Sequence, residues 1–286
     1  GHDGQEVHGG EGMIRWAEQA DLQAVVSLWT RCFPGDEAFR EWFFANIYRS
    51  DVTLVDEEDG TLCAMVQMLP YQLRDSRGVR PVTYIYGACT APEYRRQHRM
   101  DRLLQASFEL DVKQGRAASI LIPQEEWLYG FYEQFGYQTA FYVSDRIVTC
   151  ADDTQNPAGT LRRLTGADIP AVNRLYMQAQ DVRLLRSQSD WEQQIALFDA
   201  LGAGVYGLEQ DETLTAYAFV WNDGADKLWA QEICGAQQDE LAQAILHQLH
   251  CRTLRLTGAG TEQTLGCIRY HDDTPVQNGY FNLLLN

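Results

Sequence analysis

The stretch Val82–Leu104, VTYIYGACTAPEYRRQHRMDRLL, decides how this chain is read. Val82 to Cys89 is an apolar, aromatic, β-branched run, the pattern of a buried strand. Thr90-Ala91-Pro92 breaks it, because proline has no N–H for a sheet ladder. Arg95, Arg96, His98, Arg99 and Arg102 follow, and an apolar helical stripe begins at Met100, Leu103, Leu104 and Phe108. A strand that ends in a basic turn opening a helix suits an anion such as phosphate. The free N–H groups of the first helical turn and the helix dipole both favour negative charge there. The competing reading is an exposed helix start with solvated arginines.

The charge balance sharpens the contrast. Against 40 Asp and Glu the chain has 23 Lys and Arg, a net charge of −17, and four of those cations fall between residues 95 and 102. A pI near 4.7 argues against nucleic-acid binding and is compatible with cationic substrates. No run approaches the roughly 20 apolar residues of a membrane span, and no signal peptide is evident. The seven cysteines are scattered, with no C-x-x-C pair. They read as reduced, mostly buried thiols of a cytoplasmic protein, and no metal-ligand spacing is present.

Outward from the central stretch, Met13 to Trp16 reads as a first strand and Asp21 as the cap of a helix over Leu22, Val25, Val26 and Trp29. Residues 37–49 form an aromatic second helix. Thr53–Val55 and Leu62–Leu69 are strands, and the polar segment 71–80 leads into the Val82 strand. Gly115 ends the central helix. Ala118–Ile122 is a short buried strand, followed by the loop Pro123–Glu126, the helix WLYGFYEQF and a strand pattern from Tyr137 to Thr149.

An internal echo sets the domain organisation. MIRWAEQADLQAVVSLW, from Met13, returns 147 residues later as TLRRLTGADIPAVNRLY, from Thr160, and Thr61–Ala64 is echoed by Thr213–Ala216. The expected organisation is a polar leader or cloning remnant (1–12), a first unit (13–150), a linker (151–159) and a related second unit (160–286). The second unit's counterpart of the central strand is Leu228–Cys234. The turn after it, Gly235–Glu240, has no arginine and two carboxylates, so no anion site is expected there.

CTAPEYRRQHRMDRLL (from Cys89) and GFYEQFGY (from Gly130) together resemble the GNAT N-acetyltransferase superfamily. The tandem arrangement is similar to bacterial two-unit GNAT proteins and to the first two domains of the enhanced-intracellular-survival acetyltransferases. The resemblance implies an α+β fold of two tandem GNAT-like units, each a twisted, mixed, mainly antiparallel sheet flanked by helices. It also implies acetyl-CoA as co-substrate, with no metal. The family's cofactor turn, (Arg/Gln)-x-x-Gly-x-(Gly/Ala), falls on Arg95-Arg96-Gln97-His98-Arg99-Met100. His98 stands where glycine is usual and Met100 where a small residue is. Glycine tolerates positive φ, and a side chain there costs about 1–2 kcal/mol. Amide hydrogens at 96–101, including that of Asp101, are expected to hold the diphosphate, with Arg96, Arg99 and His98 adding charge. Ala88, Cys89 and Thr90 match the strand edge that bonds the pantetheine arm. Cys89 reads as structural, since no paired histidine activates its thiol.

Tyr132 falls on the family's general-acid tyrosine; the competing reading is packing against Leu128 and Phe135. Glu126, with Glu125 beside it, is the candidate base that takes the amine proton, and both also read as solvated loop acids. A similar use of the chain-terminal carboxylate at Asn286 is open. The function implied is acetyl transfer to a primary amine of a small molecule or lysine-like group, by direct attack in a ternary complex. The alternative is a non-catalytic module that binds acyl-CoA or a partner. A homo-oligomer is compatible with the sequence.

Overall fold

The structure, a computed structural model, describes residues 12–152 and 159–282. The leader up to Glu11, most of the linker, and Asn286 lie outside the described residues. The elements in chain order are β1 (Met13–Trp16), α1 (Leu22–Cys32), α2 (Glu37–Asn46), β2 (Thr53–Glu58), β3 (Thr61–Asp75), β4 (Gly78–Thr90), α3 (Arg99–Lys113), β5 (Ala118–Leu121), α4 (Leu128–Glu133) and β6 (Gln138–Thr149). The second half adds β7 (Thr160–Arg163), α5 (Ile169–Tyr176), β8 (Val182–Leu185), α6 (Gln188–Leu201), β9 (Gly204–Gln210), β10 (Thr213–Asn222), β11 (Lys227–Gly235), α7 (Gln238–Leu249), β12 (Thr253–Ala259), β13 (Gln263–Tyr270) and β14 (Gly279–Tyr280). No helix of the described residues is long and apolar enough to cross a membrane.

The chain divides into two compact units that are discontinuous in sequence. The first holds the described residues up to Leu73, with Arg77–Thr139 and Cys267–Val276. Its strands run in the order β1-β2-β3-β4-β5-β13. β1–β2 and β2–β3 are antiparallel, β4–β5 is parallel, and β5–β13 is antiparallel with Cys267 opposite Leu121. Leu103, Leu104 and Phe108 of α3 are buried against this sheet among Leu54, Val66, Ile85 and Leu121. Each such side chain contributes roughly 1.5–3 kcal/mol by leaving water.

The second unit holds Arg74–Ser76, Ala140–Gly266 and the chain from Gln277. β6 pairs antiparallel with β12 from Thr253↔Thr149 to Ala259↔Val143, and β12 pairs parallel with β11. β10, β9 and β7 continue outward as antiparallel neighbours.

This division differs from the sequence expectation of a cut between residues 150 and 160. Most of β6 groups with the second unit, and Cys267–Val276 with the first. The physical reason is edge pairing. All of β5 is buried, so its outer edge needs a partner strand, and β13 supplies it. Segment 71–80, expected as a polar lead-in, instead lies mostly within β3 and β4, joined by a turn at 76–77.

The internal echo survives in the side chains. Arg15 Nη1 donates to Asp21 at 2.8 Å and Arg162 Nη2 to Asp168 at 2.8 Å. Each aspartate also accepts the backbone N–H three residues earlier, from Glu18 at 2.7 Å and from Thr165 at 2.9 Å. Each arginine carries a second acid, Glu57 or Glu209. Both long helices that follow the central strands begin from a left-handed residue, His98 (φ 57°) before α3 and Gln237 (φ 60°) before α7.

Candidate active site

The β4–β5 ladder is short. It joins Val82 to Ala118, Thr83 to Ser119 and Tyr84 to Ile120, whereas β4 continues to Thr90. From Ile85 onward the strands part. Gly87, at φ 63°, lies in this free portion, and a Cβ there would sit 2.7 Å from the Trp29 ring. Only glycine satisfies both the left-handed backbone and that close approach. Ala88 and Thr90 are half-buried and Cys89 is buried. Thr90 O accepts from Arg95 Nε at 3.1 Å and from the Cys32 thiol at 3.5 Å.

The basic turn is held by two left-handed residues, Arg96 (φ 64°) and His98 (φ 57°, ψ 26°). His98 therefore adopts the conformation for which glycine is usual in the family. Its ring turns outward, with the side chain 80% exposed and Nδ1 3.0 Å from Asp101 Oδ2. The first backbone N–H of α3 to find a helical acceptor is that of Arg102, which donates to His98 O at 3.2 Å. The N–H groups from Arg96 to Asp101 have no acceptor among the described residues. Six consecutive donors without a protein acceptor thus stand at the start of the helix from Arg99 to Lys113, an arrangement that favours negative charge.

The arginines of the turn take different roles. The Arg99 side chain is turned inward: Nη1 lies 3.0 Å from Asp56, Nη2 2.5 Å from Glu58 and Nε 3.0 Å from Gln97 Oε1, and the guanidinium stacks on Tyr94. Its charge is neutralised by Asp56 and Glu58 of β2, so at the turn Arg99 leaves only its N–H available. Arg102 Nη1 donates to Gln97 O at 3.1 Å, while its buried Nη2 has no partner among the described residues. Arg95 and Arg96 are exposed. Met100 is half-buried against the apolar cluster under α3. A shallow groove of about 380 Å³ runs beside the start of α3, lined by Asp101, Arg102, Gln105, Ala106, Glu109 and Phe135.

Tyr132 of α4 is 8% exposed and packs edge-on to Phe131 and Tyr137. It shares one apolar cluster with Ile85 and Leu121, the residues at which β4 and β5 separate. Its hydroxyl has no hydrogen-bond partner among the described residues, and burial, with a smaller effect of Cys267, pushes the phenol up to about 12. Glu126 is exposed in the loop before α4, and no hydrogen bond or ion pair joins it to Tyr132 among the described residues. Glu125 accepts a hydrogen bond from the Trp127 indole. The sequence reading missed Cys32, which reaches the end of β4 from α1. Only the fold brings residues so distant in sequence together.

The corresponding place in the second unit is closed. Its β11–β12 ladder stops at Ala230↔Leu256, and the next carbonyl, Gln231 O, accepts from Asn282 Nδ2 at 2.9 Å. Tyr280 and Tyr217 both donate to Glu232, which pairs with Arg186. The turn into α7 presents Asp239 and Glu240 in its first helical turn.

A search of curated proteins gives no match. Among solved structures, a probable N-acyltransferase of unknown function from Enterococcus faecalis superposes with a TM-score of 0.72 at 15% identity, covering 90% of this chain and 72% of that one. A GCN5-related N-acetyltransferase from Anabaena variabilis gives 0.72 at 16% identity over the same shares. Eis1 from Mycobacterium abscessus gives 0.64 at 15% identity, covering 91% of this chain and 74% of that one. These likenesses establish the fold. The family model described as acetyltransferase (GNAT) domain matches residues 13–140, the segment that carries the parted strands and the basic turn. Residues 13–140 thus form a domain of the GNAT acetyltransferase family.

Proposed function

We propose that the first unit transfers an acetyl group from acetyl-CoA to a primary amine of a small molecule or lysine-like group. The observation that carries this reading is the row of unpaired N–H groups at 96–101, set at a helix start beside two parted strands. That donor set fits a diphosphate, with Arg95 and Arg96 exposed to add charge. The free edge of β4 at Ala88, Cys89 and Thr90 fits an amide arm added like a strand. The groove along α3 leaves room for the remainder of a nucleotide.

Acetyl-CoA supplies the activated acyl group as a thioester. The chain's own residues orient and exchange protons. Backbone N–H at the end of β4 polarises the acyl carbonyl. Tyr132, protonated and apolar-walled, gives a proton to the departing thiolate. Glu126 takes the proton of the attacking amine, directly or through water. The second unit, whose corresponding gap is filled by its own Tyr280–Asn282 segment, serves as support. Seven free cysteines and an acidic surface suit work in the cytoplasm on a cationic acceptor, without nucleic acid.

One observation favours the alternative, a module that binds acyl-CoA without turnover: Glu126 lacks any link to Tyr132. Calorimetry with acetyl-CoA, followed by thiol release with polyamines, aminoglycosides and lysine peptides, separates the two readings. Micromolar-range binding and acceptor-dependent release are expected. Binding without release across the panel selects the module, and no binding overturns both.

A further inference from the structure

We propose that Cys32 and Cys89 are a hydroperoxide-sensitive thiol pair, and that their disulfide closes the cofactor edge of β4. The two residues come from different elements. Cys32 is the last residue of α1, and Cys89 lies in the free end of β4. Cys32 Sγ reaches the backbone of Thr90, the residue that follows Cys89, and the Cys89 thiol is the largest influence on its ionisation. It donates to Thr90 O at 3.5 Å, the oxygen that Arg95 Nε reaches at 3.1 Å. Arg31, which pairs with Glu93 at 2.5 Å, adds a second cation nearby. Cys32 is half-exposed and Cys89 is buried, so one thiol meets an oxidant and the other waits behind it.

The chemistry follows from the unequal surroundings. The Cys89 thiol, helped by the Arg95 charge and working against burial, brings Cys32 down to about 7. Burial pushes up Cys63, Cys89, Cys234, Cys251 and Cys267. The thiolate is the form that reacts. Cys32 as thiolate attacks one oxygen of a hydroperoxide, giving a sulfenic acid and releasing the other oxygen as hydroxide or alkoxide. The Cys89 sulfur then attacks the Cys32 sulfur, which loses its hydroxyl as water with the Cys89 proton. Two thiols are oxidised, the peroxide is reduced, and one S–S bond forms.

Such a bond fixes the two Cα atoms at about 4.4–6.8 Å and draws the Cys89 side toward α1. Ala88 to Thr90 then lose the freedom to pair with an incoming amide arm. This consequence rests on the cofactor reading above; the disulfide itself does not.

The test uses the full reduced chain, treated with hydrogen peroxide, blocked with N-ethylmaleimide, digested and mapped by mass spectrometry. The expected result is a linked Cys32–Cys89 peptide, a fall of about tenfold or more in acetyl-CoA affinity, and recovery with dithiothreitol. Cys32→Ser removes both effects, whereas Cys251→Ser removes neither. Both cysteines recovered as blocked thiols, or Cys32 as an unlinked sulfinic acid, overturns the proposal. A linked peptide with unchanged affinity overturns the closure. If the reduced chain binds no acetyl-CoA, the proposed function fails, and the peptide map alone decides the thiol pair. The map is made on the unsubstituted chain, so a misfolded variant leaves it decisive.

Discussion

The Arg99 guanidinium lies 3.0 Å from the Asp56 carboxylate, and both side chains are fully buried. This pair fastens the first turn of α3 to β2. Truncating one partner leaves the other charge buried and uncompensated, at a cost of about 3–5 kcal/mol. Arg99→Leu is therefore expected to lower the unfolding free energy, read from urea titration, by that amount. Arg99→Leu with Asp56→Leu should recover part of the loss. Equal destabilisation by the single and double variants would show that the ion pair is not what Arg99 contributes.

His98 at φ 57° is the second test of the turn. His98→Gly relieves a left-handed cost of about 1–2 kcal/mol but adds about 0.5–1 kcal/mol of unfolded-chain entropy. Folding stability should stay level or rise by up to about 1.5 kcal/mol. Acetyl-CoA affinity should rise, because the backbone approach is widened without touching the donors. A loss of affinity in calorimetry would assign His98 a contact with the cofactor.

Tyr132→Phe should lower turnover by about 100-fold or more while leaving acetyl-CoA affinity within about twofold. The hydroxyl has no protein partner among the described residues, so stability should barely change. The sign of the pH effect follows from burial. A phenol raised to about 12 stays protonated below that pH, so the acid remains competent through the alkaline range. A rate profile that falls near the ordinary tyrosine value of 10 would remove Tyr132 from the role.

A chain ending at residue 150 should fail to give a stable first unit. It lacks β13, which covers β5 through Cys267↔Leu121 to Tyr270↔Ala118. It also lacks His271, whose Nε2 lies 2.8 Å from the buried Asp111, and Arg269, which donates to Phe135 O at 2.8 Å. Aggregation or weak circular dichroism is expected. A soluble, cooperatively unfolding fragment would show the added strand to be dispensable.

Much of the fold was legible where local rules decide. Met13–Trp16 is a strand as its pattern predicts, and the break at Thr90-Ala91-Pro92 falls where proline stops the ladder. His98 takes positive φ because the turn demands it, whatever residue occupies the place. The Arg15–Asp21 and Arg162–Asp168 pairs reproduce the echo because both partners are close in sequence.

By itself, then, the order of residues determined the strand–turn–helix with its free amide donors and the repeated opening of each unit, since these depend on neighbours along the chain. Tertiary structure alone decided that Arg99 faces Asp56 instead of an anion, that Cys32 reaches the end of β4 at Thr90, and that β13 completes the sheet begun by β1. Those outcomes depend on which buried charge, thiol or strand edge is left needing a partner after collapse, and that is a property of packing, not of sequence distance.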